Sequence, residues 1–319
     1  MRLGFVVKVL GQAGLKEHDS RRWQNTPHLS VSLAYLRDIF EYLRAQAIGM
    51  YRISSDLAPY LTHPDLPQFH GQIEECAAEL EAVGRLAREI DLRLSFHPSQ
   101  YVIINSPDDA LAAKSALDLN AQAEMLDRMG LGPDAVVVTH VGGVYGNPQQ
   151  ARARFVQRFL QLPGATQRRL VLENDDSRFS VADTLWIHDR TGIRLVFDNL
   201  HHHLHNPQAL DMTGALAACL NTWPEDVCPK VHFSSPRTEM RVGEQKDPET
   251  GRRVQVLQPP IWTRHADYVH PFEFIAFLRS AQGLRTFDIM LEVKAKDLAL
   301  LRLREDLARY APDLAGGLQ

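Results

Sequence analysis

RLVLENDDSRFSVADTLWIHDRTGIRLVFDNLHHHLH, residues Arg169–His205, is the stretch whose reading decides the fold. It holds two short apolar runs, Leu170–Leu172 and Leu195–Phe197, and each stops on a carboxylate, Glu173 or Asp198. A charged group is costly inside a core unless something pairs with it. Two strands ending the same way point to a shared partner, and the imidazoles that follow (His201, His202, His203 and His205) make a metal ion the candidate. Taken singly, each piece has an ordinary reading. A carboxylate at a strand end is commonly a helix N-cap or half of a surface ion pair, and the histidine run could be a polar loop.

The same pattern recurs outward in both directions. Arg2–Val7 reads as strand one, Met50–Ser54 as strand two, Leu92–His97 as strand three and Ala135–His140 as strand four. Pro98 keeps His97 extended at its strand end, and His140 stops its strand before a Gly142-Gly143 turn. Beyond the opening stretch, Pro229–Ser234 carries Lys230 and His232, and Phe287–Val293 carries Glu292. Helical periodicity fills the gaps at Val31–Gln46, Gln68–Ile90, Asp108–Met129, Pro148–Leu162, Val181–Asp189, Pro207–Trp223, Pro271–Ala281 and Asp297–Tyr310. Eight strands alternating with eight helices predict a single (β/α)8 TIM barrel over 1–319 rather than an open sheet. In a barrel all strand ends converge on one rim, so His97, His140, Glu173, Asp198, His201, His232 and Glu292 would face one another there. No GxGxxG follows the first strand, which argues against a dinucleotide fold.

Composition sets the bounds. The 319 residues are 45% apolar and 23% charged, as in an ordinary globular chain long enough for one barrel. A formal charge of −4 excludes a protein coated in positive charge but leaves room for a local basic groove. Cys76, Cys219 and Cys228 are widely spaced and form no CxxC pair, so neither a disulfide framework nor a thiolate zinc site is indicated. A reducing cytoplasm is the expected location, with no signal peptide and no membrane-spanning run.

SFHPSQY, VVTHVGG, VLENDD, FDNLHHH, KVHFSS and MLEVKAKD, in this order and spacing, resemble the UV damage endonucleases, metal-dependent DNA repair nucleases of TIM-barrel fold. The barrel and the ligand order are also similar to endonuclease-IV-type abasic-site nucleases and, more distantly, to xylose-isomerase-like enzymes. The resemblance implies incision of DNA immediately 5′ to a cyclobutane pyrimidine dimer or a 6-4 photoproduct, leaving a 3′-hydroxyl. It implies two or three divalent ions, manganese foremost, with zinc or iron as alternatives. Carried over by position, it makes His97, His140, Glu173, Asp198, His201, His232, His265 and Glu292 the metal ligands, with Glu173 bridging and Glu173, Lys230 and His232 at the catalytic centre. Endonuclease-IV-type enzymes have Asp two residues before the histidine matching His265, where this chain has Thr263. Lys230 matches a lysine that can be carboxylated in the family; its plainer reading is a phosphate contact or an ion pair.

Hydrolysis of a phosphodiester needs a hydroxide near neutral pH and neutralisation of growing charge, which clustered divalent ions supply. Imidazole and carboxylate ligands without thiolate suit Mn²⁺, Zn²⁺ or Fe²⁺. Gln100 and Tyr101 match the family's lesion-probing pair, a wedge that replaces lost stacking while damaged bases leave the helix; the plainer reading makes Tyr101 the start of a strand-like run, YVIIN. Lys16, Arg21, Arg22 and the insert Arg237–Arg264 (Arg237, Arg241, Lys246, Arg252 and Arg253) are candidate phosphate contacts. The family often has Tyr where this chain has Phe5, which leaves Phe5 as packing or stacking surface. The expected partner is double-stranded DNA carrying UV lesions, bound by a monomer with no obligate protein partner. The competing readings are a general abasic-site endonuclease and a metal-dependent sugar isomerase or epimerase of the same fold.

Overall fold

In the computed structural model, which describes residues 1–318, the short apolar runs pair edge to edge into a closed parallel barrel. Its strands are β1 (Leu3–Val6), β2 (Met50–Arg52), β3 (Arg93–Phe96), β4 (Val136–His140), β5 (Leu170–Glu173), β6 (Arg194–Asp198) and β7 (Lys230–Phe233). A hairpin of β8 (Arg241–Lys246) and β9 (Arg253–Gln258) intervenes before β10 (Asp288–Leu291), which pairs with both β7 and β1 and closes the ring.

Alternation along the strands decides what fills the barrel. The inward faces of β4, β5 and β6 carry Val136, Val138, Val171 and Val196, which pack together with Trp223 and Val227. Their outward faces carry Leu170, Leu172, Leu195 and Phe197, which join the core beneath the helices. Strands buried on both faces read as near-continuous apolar runs, as these do. Two residues further along each inward face stand His140, Glu173 and Asp198. Strand register then sets His140 beside Glu173, and Asp198 and Met290 beside His232.

The opposite end of the barrel is plugged by charge. Arg93 Nη1 donates to Asp288 Oδ2 at 3.0 Å, and the Arg2 backbone N donates to Asp288 Oδ1 at 2.7 Å. The guanidinium groups of Arg93 and Arg194 lie 5.7 and 4.7 Å from the Trp223 ring. Gly4 is required where β1 meets β2, because a Cβ there would stand 2.6 Å from the Met50 carbonyl oxygen. Phe5 is fully buried on the outward face, edge-on to Tyr51 with ring centroids 5.4 Å apart. Packing is therefore its role, and it offers no stacking surface.

The helices are α1 (Leu29–Ala45), α2 (Gln72–Glu75), α3 (Ala77–Glu89), α4 (Asp109–Arg128), α5 (Pro148–Phe159), α6 (Gly164–Arg169), α7 (Val181–Thr191), α8 (Asn199–Leu204), α9 (Met212–Leu220), α10 (Pro271–Ser280), α11 (Lys296–Tyr310) and α12 (Pro312–Ala315). Local chemistry fixes their ends. A Ser180–Asp183 capping box opens α7 and Gly192, at φ 71°, ends it.

Two expected helices need correction, and two segments that the sequence left open take a definite form. The single helix over Gln68–Ile90 is broken into a 3-10 turn at Pro67–Phe69, α2 and α3. The buried Gln72 side chain, bonded to Leu29 N, Pro59 O and Phe69 O, pins the first turn in place, and Cys76 leaves helical geometry. The helix expected from Pro207 begins only at Met212, because Asn206 closes a loop on Leu210 with two hydrogen bonds of 2.8 and 2.9 Å. The histidine run is helix α8, not a polar loop, since Asp198 caps it. The basic insert is largely the antiparallel β8–β9 hairpin, with Val242 opposite Leu257 and both exposed.

Candidate metal centre

Glu173 ends β5 at the centre of the rim, wholly enclosed by imidazoles. Its Oε2 lies 3.2 Å from His97 Nε2 and 3.7 Å from His140 Nε2. Its Oε1 lies 3.0 Å from His232 Nδ1 and 3.4 Å from His201 Nδ1. His232 Nδ1 also stands 3.1 Å from Glu292 Oε1, and His265 Nδ1 is 4.0 Å from Glu292 Oε2. The rings of His97, His140, His201 and His265 follow one another with centroids 5.1 to 6.0 Å apart. All eight ligand candidates therefore meet at one place. Two sets are close enough to hold an ion, His97–His140–Glu173 and Glu173–Asp198–His232–Glu292, and they share Glu173.

The donor set fits divalent cations. Glu173 Oε1, Asp198 Oδ2 and His232 Nδ1 are buried atoms without a well-aligned hydrogen-bond partner among the described residues, and buried polar atoms left this way are rare. His97 Nδ1 faces the Pro98 carbonyl at 3.0 Å, so it carries the proton and leaves Nε2 with a free lone pair toward Glu173. Asp198 serves two ends at once. Its Oδ1 accepts the His201 backbone N–H at 2.8 Å as the N-cap of α8, while Oδ2 stays free in the site.

Burial works against the Glu173 carboxylate, yet the surrounding His232, His140 and His201 hold its pKa well below the usual value. Burial pushes His232 down to about 4, so this ring is neutral at neutral pH. Burial also opposes charge on His201, but Asp198 and Glu173 raise it to about 11. Asp198 itself is pushed up to about 7 by burial.

Lys230 lies inside the barrel, fully buried, with Nζ donating to Ser95 Oγ at 2.8 Å across the lumen. No carboxylate comes within ion-pair distance of it among the described residues, and burial, with Arg52 and Arg93 nearby, pushes its pKa well below the ordinary value. The plainer reading of Lys230 as half of an ion pair thus finds no acidic partner within reach among the described residues. His202 faces away from the centre, against Phe197 and the Leu210 carbonyl, and is structural.

Gln100 and Tyr101 form an exposed turn just past His97, and Tyr101 is 74% exposed. YVIIN is therefore not a strand. Lys16 and Arg22 are exposed; Arg21 is clamped by Asp19 through Nε at 2.8 Å and Nη2 at 2.6 Å. Arg237 is only 4% exposed, which corrects its assignment as a free phosphate contact: its backbone N–H bonds the Arg264 carbonyl, drawing this end of the insert against the barrel.

Three residues escaped the sequence reading. Arg52, buried at the end of β2, places Nη2 2.9 Å from His232 Nε2 and in contact with Glu292 Oε1. An arginine inside the short apolar strand MYRI was a legible signal, by the same cost argument that singled out Glu173. Asn174 pins β5 to β6, accepting from Asp198 N at 2.9 Å and donating to Asp198 O at 3.1 Å, and its carbonyl faces His201 Nδ1 at 3.0 Å. Asn199 repeats the device toward Ser234 N at 3.0 Å. The repeated carboxylate-Asn pair at 173–174 and 198–199 was its trace.

Comparison with known proteins gives a consistent assignment. The family model for UV-endonuclease UvdE matches residues 16–312. The UV DNA damage endonuclease of Bacillus velezensis is 34% identical over 306 residues, 94% of this chain and 89% of that protein. The crystal structure of SacUVDE matches with a TM-score of 0.78 at 29% identity, covering 97% of this chain and 98% of that one. D-Psicose 3-epimerase from Clostridium cellulolyticum H10 matches with a TM-score of 0.53 at 10% identity, covering 99% and 94%, a likeness of fold alone.

Proposed function

The chain belongs to the UvdE family of UV endonucleases, and from that premise we propose that it cuts duplex DNA immediately 5′ to cyclobutane pyrimidine dimers and 6-4 photoproducts. The observation that carries the reading is the rim itself: Glu173 set among His97, His140, His201 and His232, with Asp198, Glu292 and His265 beside them. His97, His140 and Glu173 would hold one divalent ion and Glu173, Asp198, His232 and Glu292 a second; His201 and His265 are available to a third. Manganese is the ion we assign first, on the family resemblance; imidazole and carboxylate donors without thiolate accept it and equally accept zinc or iron. When bound, such ions supply hydroxide near neutral pH and neutralise charge growing on the phosphate.

The reaction adds water across one P–O bond: oxygen joins phosphorus, the bond to the 3′ oxygen breaks, and that oxygen takes up a proton. The products are a 3′-hydroxyl and a 5′-phosphate. The chain's own residues position the reactants. Glu173 ties the two ligand sets together, Asn174 fixes β5 against β6, and Arg52 orients Glu292 and His232. Lys230, its pKa pushed well below the ordinary value by burial, is a candidate for carboxylation. Gln100 and Tyr101 supply a wedge that enters the duplex where damaged bases leave it, a step that costs less when stacking is already lost. Lys16 and Arg22 contact flanking phosphates.

Duplexes carrying a single dimer, a single 6-4 photoproduct or one abasic site, with an intact control, test this. The expected result is a nick directly 5′ to each photoproduct whose 3′ end a polymerase extends without processing. Cutting of the abasic duplex alone contradicts the lesion assignment.

A further inference from the structure

We propose that Arg264, Lys294 and Lys296 form a subsite for one backbone phosphate of the DNA, flanking the phosphate that is cut. The proposal rests on the nuclease reading above and names residues that reading does not use. A cavity of about 420 Å³ opens beside the metal centre, lined by these three cations together with Thr263, His265 and Glu292. None of the three has a carboxylate within ion-pair distance among the described residues, whereas two basic groups of the adjoining insert are matched, Arg241 with Asp267 at 3.1 Å and Arg253 with Glu244 at 3.0 Å. The one carboxylate in the cavity, Glu292, is already engaged by Arg52 and His232. Three positive charges against one committed negative charge leave the cavity in want of an anion.

Its place in the fold agrees. Arg264 lies in the segment after β7, Lys294 in the turn between β10 and α11, and Lys296 opens α11, so all three stand at the last two strand-to-helix connections of the barrel. In (β/α)8 barrels these connections frequently build a phosphate site. A nucleic-acid backbone laid across the rim would therefore meet the metal ligands and this cluster together. Phosphate contacts set register without reading sequence, so the subsite would hold the strand in line with the metal centre on damaged and intact DNA alike.

The test is duplex binding by fluorescence anisotropy over a potassium chloride series, in chelator so that no cutting intervenes. The proteins are wild type, the Lys294→Gln/Lys296→Gln double variant and the Lys294→Arg/Lys296→Arg double variant. Each lost phosphate contact flattens the salt slope by about 0.9. The glutamine pair should therefore bind with a slope shallower by about 0.9, the loss of one phosphate, and the arginine pair with the wild-type slope. Duplexes with one neutral methylphosphonate at successive linkages locate the contact: one linkage weakens wild type and leaves the glutamine pair unmoved. A glutamine pair with the wild-type slope and methylphosphonate profile overturns the subsite and leaves the nuclease reading standing. A wild type that neither binds nor cuts damaged duplex overturns both.

Discussion

Glu173 is a buried carboxylate stabilised by the imidazoles around it, and those imidazoles are held in turn by groups the eye passes over. Asn174 is the clearest case, since its side chain fixes the Asp198 backbone while its carbonyl takes up His201 Nδ1. Groups that orient ligands typically contribute 10- to 100-fold in metal affinity. Asn174→Ala should therefore weaken Mn²⁺ binding by about 10- to 100-fold in a titration, with far-UV circular dichroism unchanged; wild-type affinity would remove Asn174 from the account. Tyr101, exposed and away from the ligand sets, divides the other way. Tyr101→Ala should keep full metal content and lose preference for dimer-containing over intact duplex, and an unaltered preference would dismiss the wedge. At this scale the sequence was most informative where a charged residue broke an apolar run, as at Glu173 and Asp198. It was least informative where a neutral side chain acted through backbone atoms, as Asn174 does, because such bonds depend on strand register and not on residue type.

The elements were legible to the degree that their signal was local. Strands buried on both faces announce themselves as apolar runs, so the positions of all eight barrel strands could be read, and with them the rim. Helix breaks were not legible, because they turn on particular side chain-to-backbone bonds, a long-range one from Gln72 to Leu29 before α2 and a local one from Asn206 to Leu210 before α9. The β8–β9 hairpin escaped for another reason: its mixed polar and apolar residues face solvent on both sides and carry no burial pattern. The plug under β3 and β10 gives a pH-dependent prediction. Burial raises the Asp288 carboxyl, but Arg93 and Arg2 hold it below its ordinary value of 3.8. A depressed native pKa contributes stability above the unfolded value and loses it as pH falls through the native one. Asp288→Asn should cost about 3–5 kcal/mol at pH 7, read from denaturant midpoints, and the gap from wild type should close as pH drops below about 4. A gap that stays constant to pH 3 would show that the ion pairs are not its source.

For the whole molecule, the net charge of −4 says little about the partner, because what matters is its distribution. Basic groups gather where the barrel's last two strands end, beside the candidate metal centre, where Glu292 is engaged by Arg52 and Asp267 is paired with Arg241. The barrel is shared with a D-psicose 3-epimerase as a likeness of fold alone; what separates this chain is the UvdE family, whose model matches residues 16–312. The central claim is that the Glu173-centred cluster cuts damaged DNA with divalent metal. It is tested most directly by incubating a duplex bearing one cyclobutane dimer with the metal-stripped protein, the same protein resupplied with Mn²⁺, and Glu173→Ala with Mn²⁺, while bound metal is counted in each. The account predicts a nick 5′ to the dimer only for the resupplied wild type, with at least two ions bound, and a folded Glu173→Ala protein that has lost metal and activity together. Cutting by the stripped protein, or by Glu173→Ala at the wild-type rate, would contradict it.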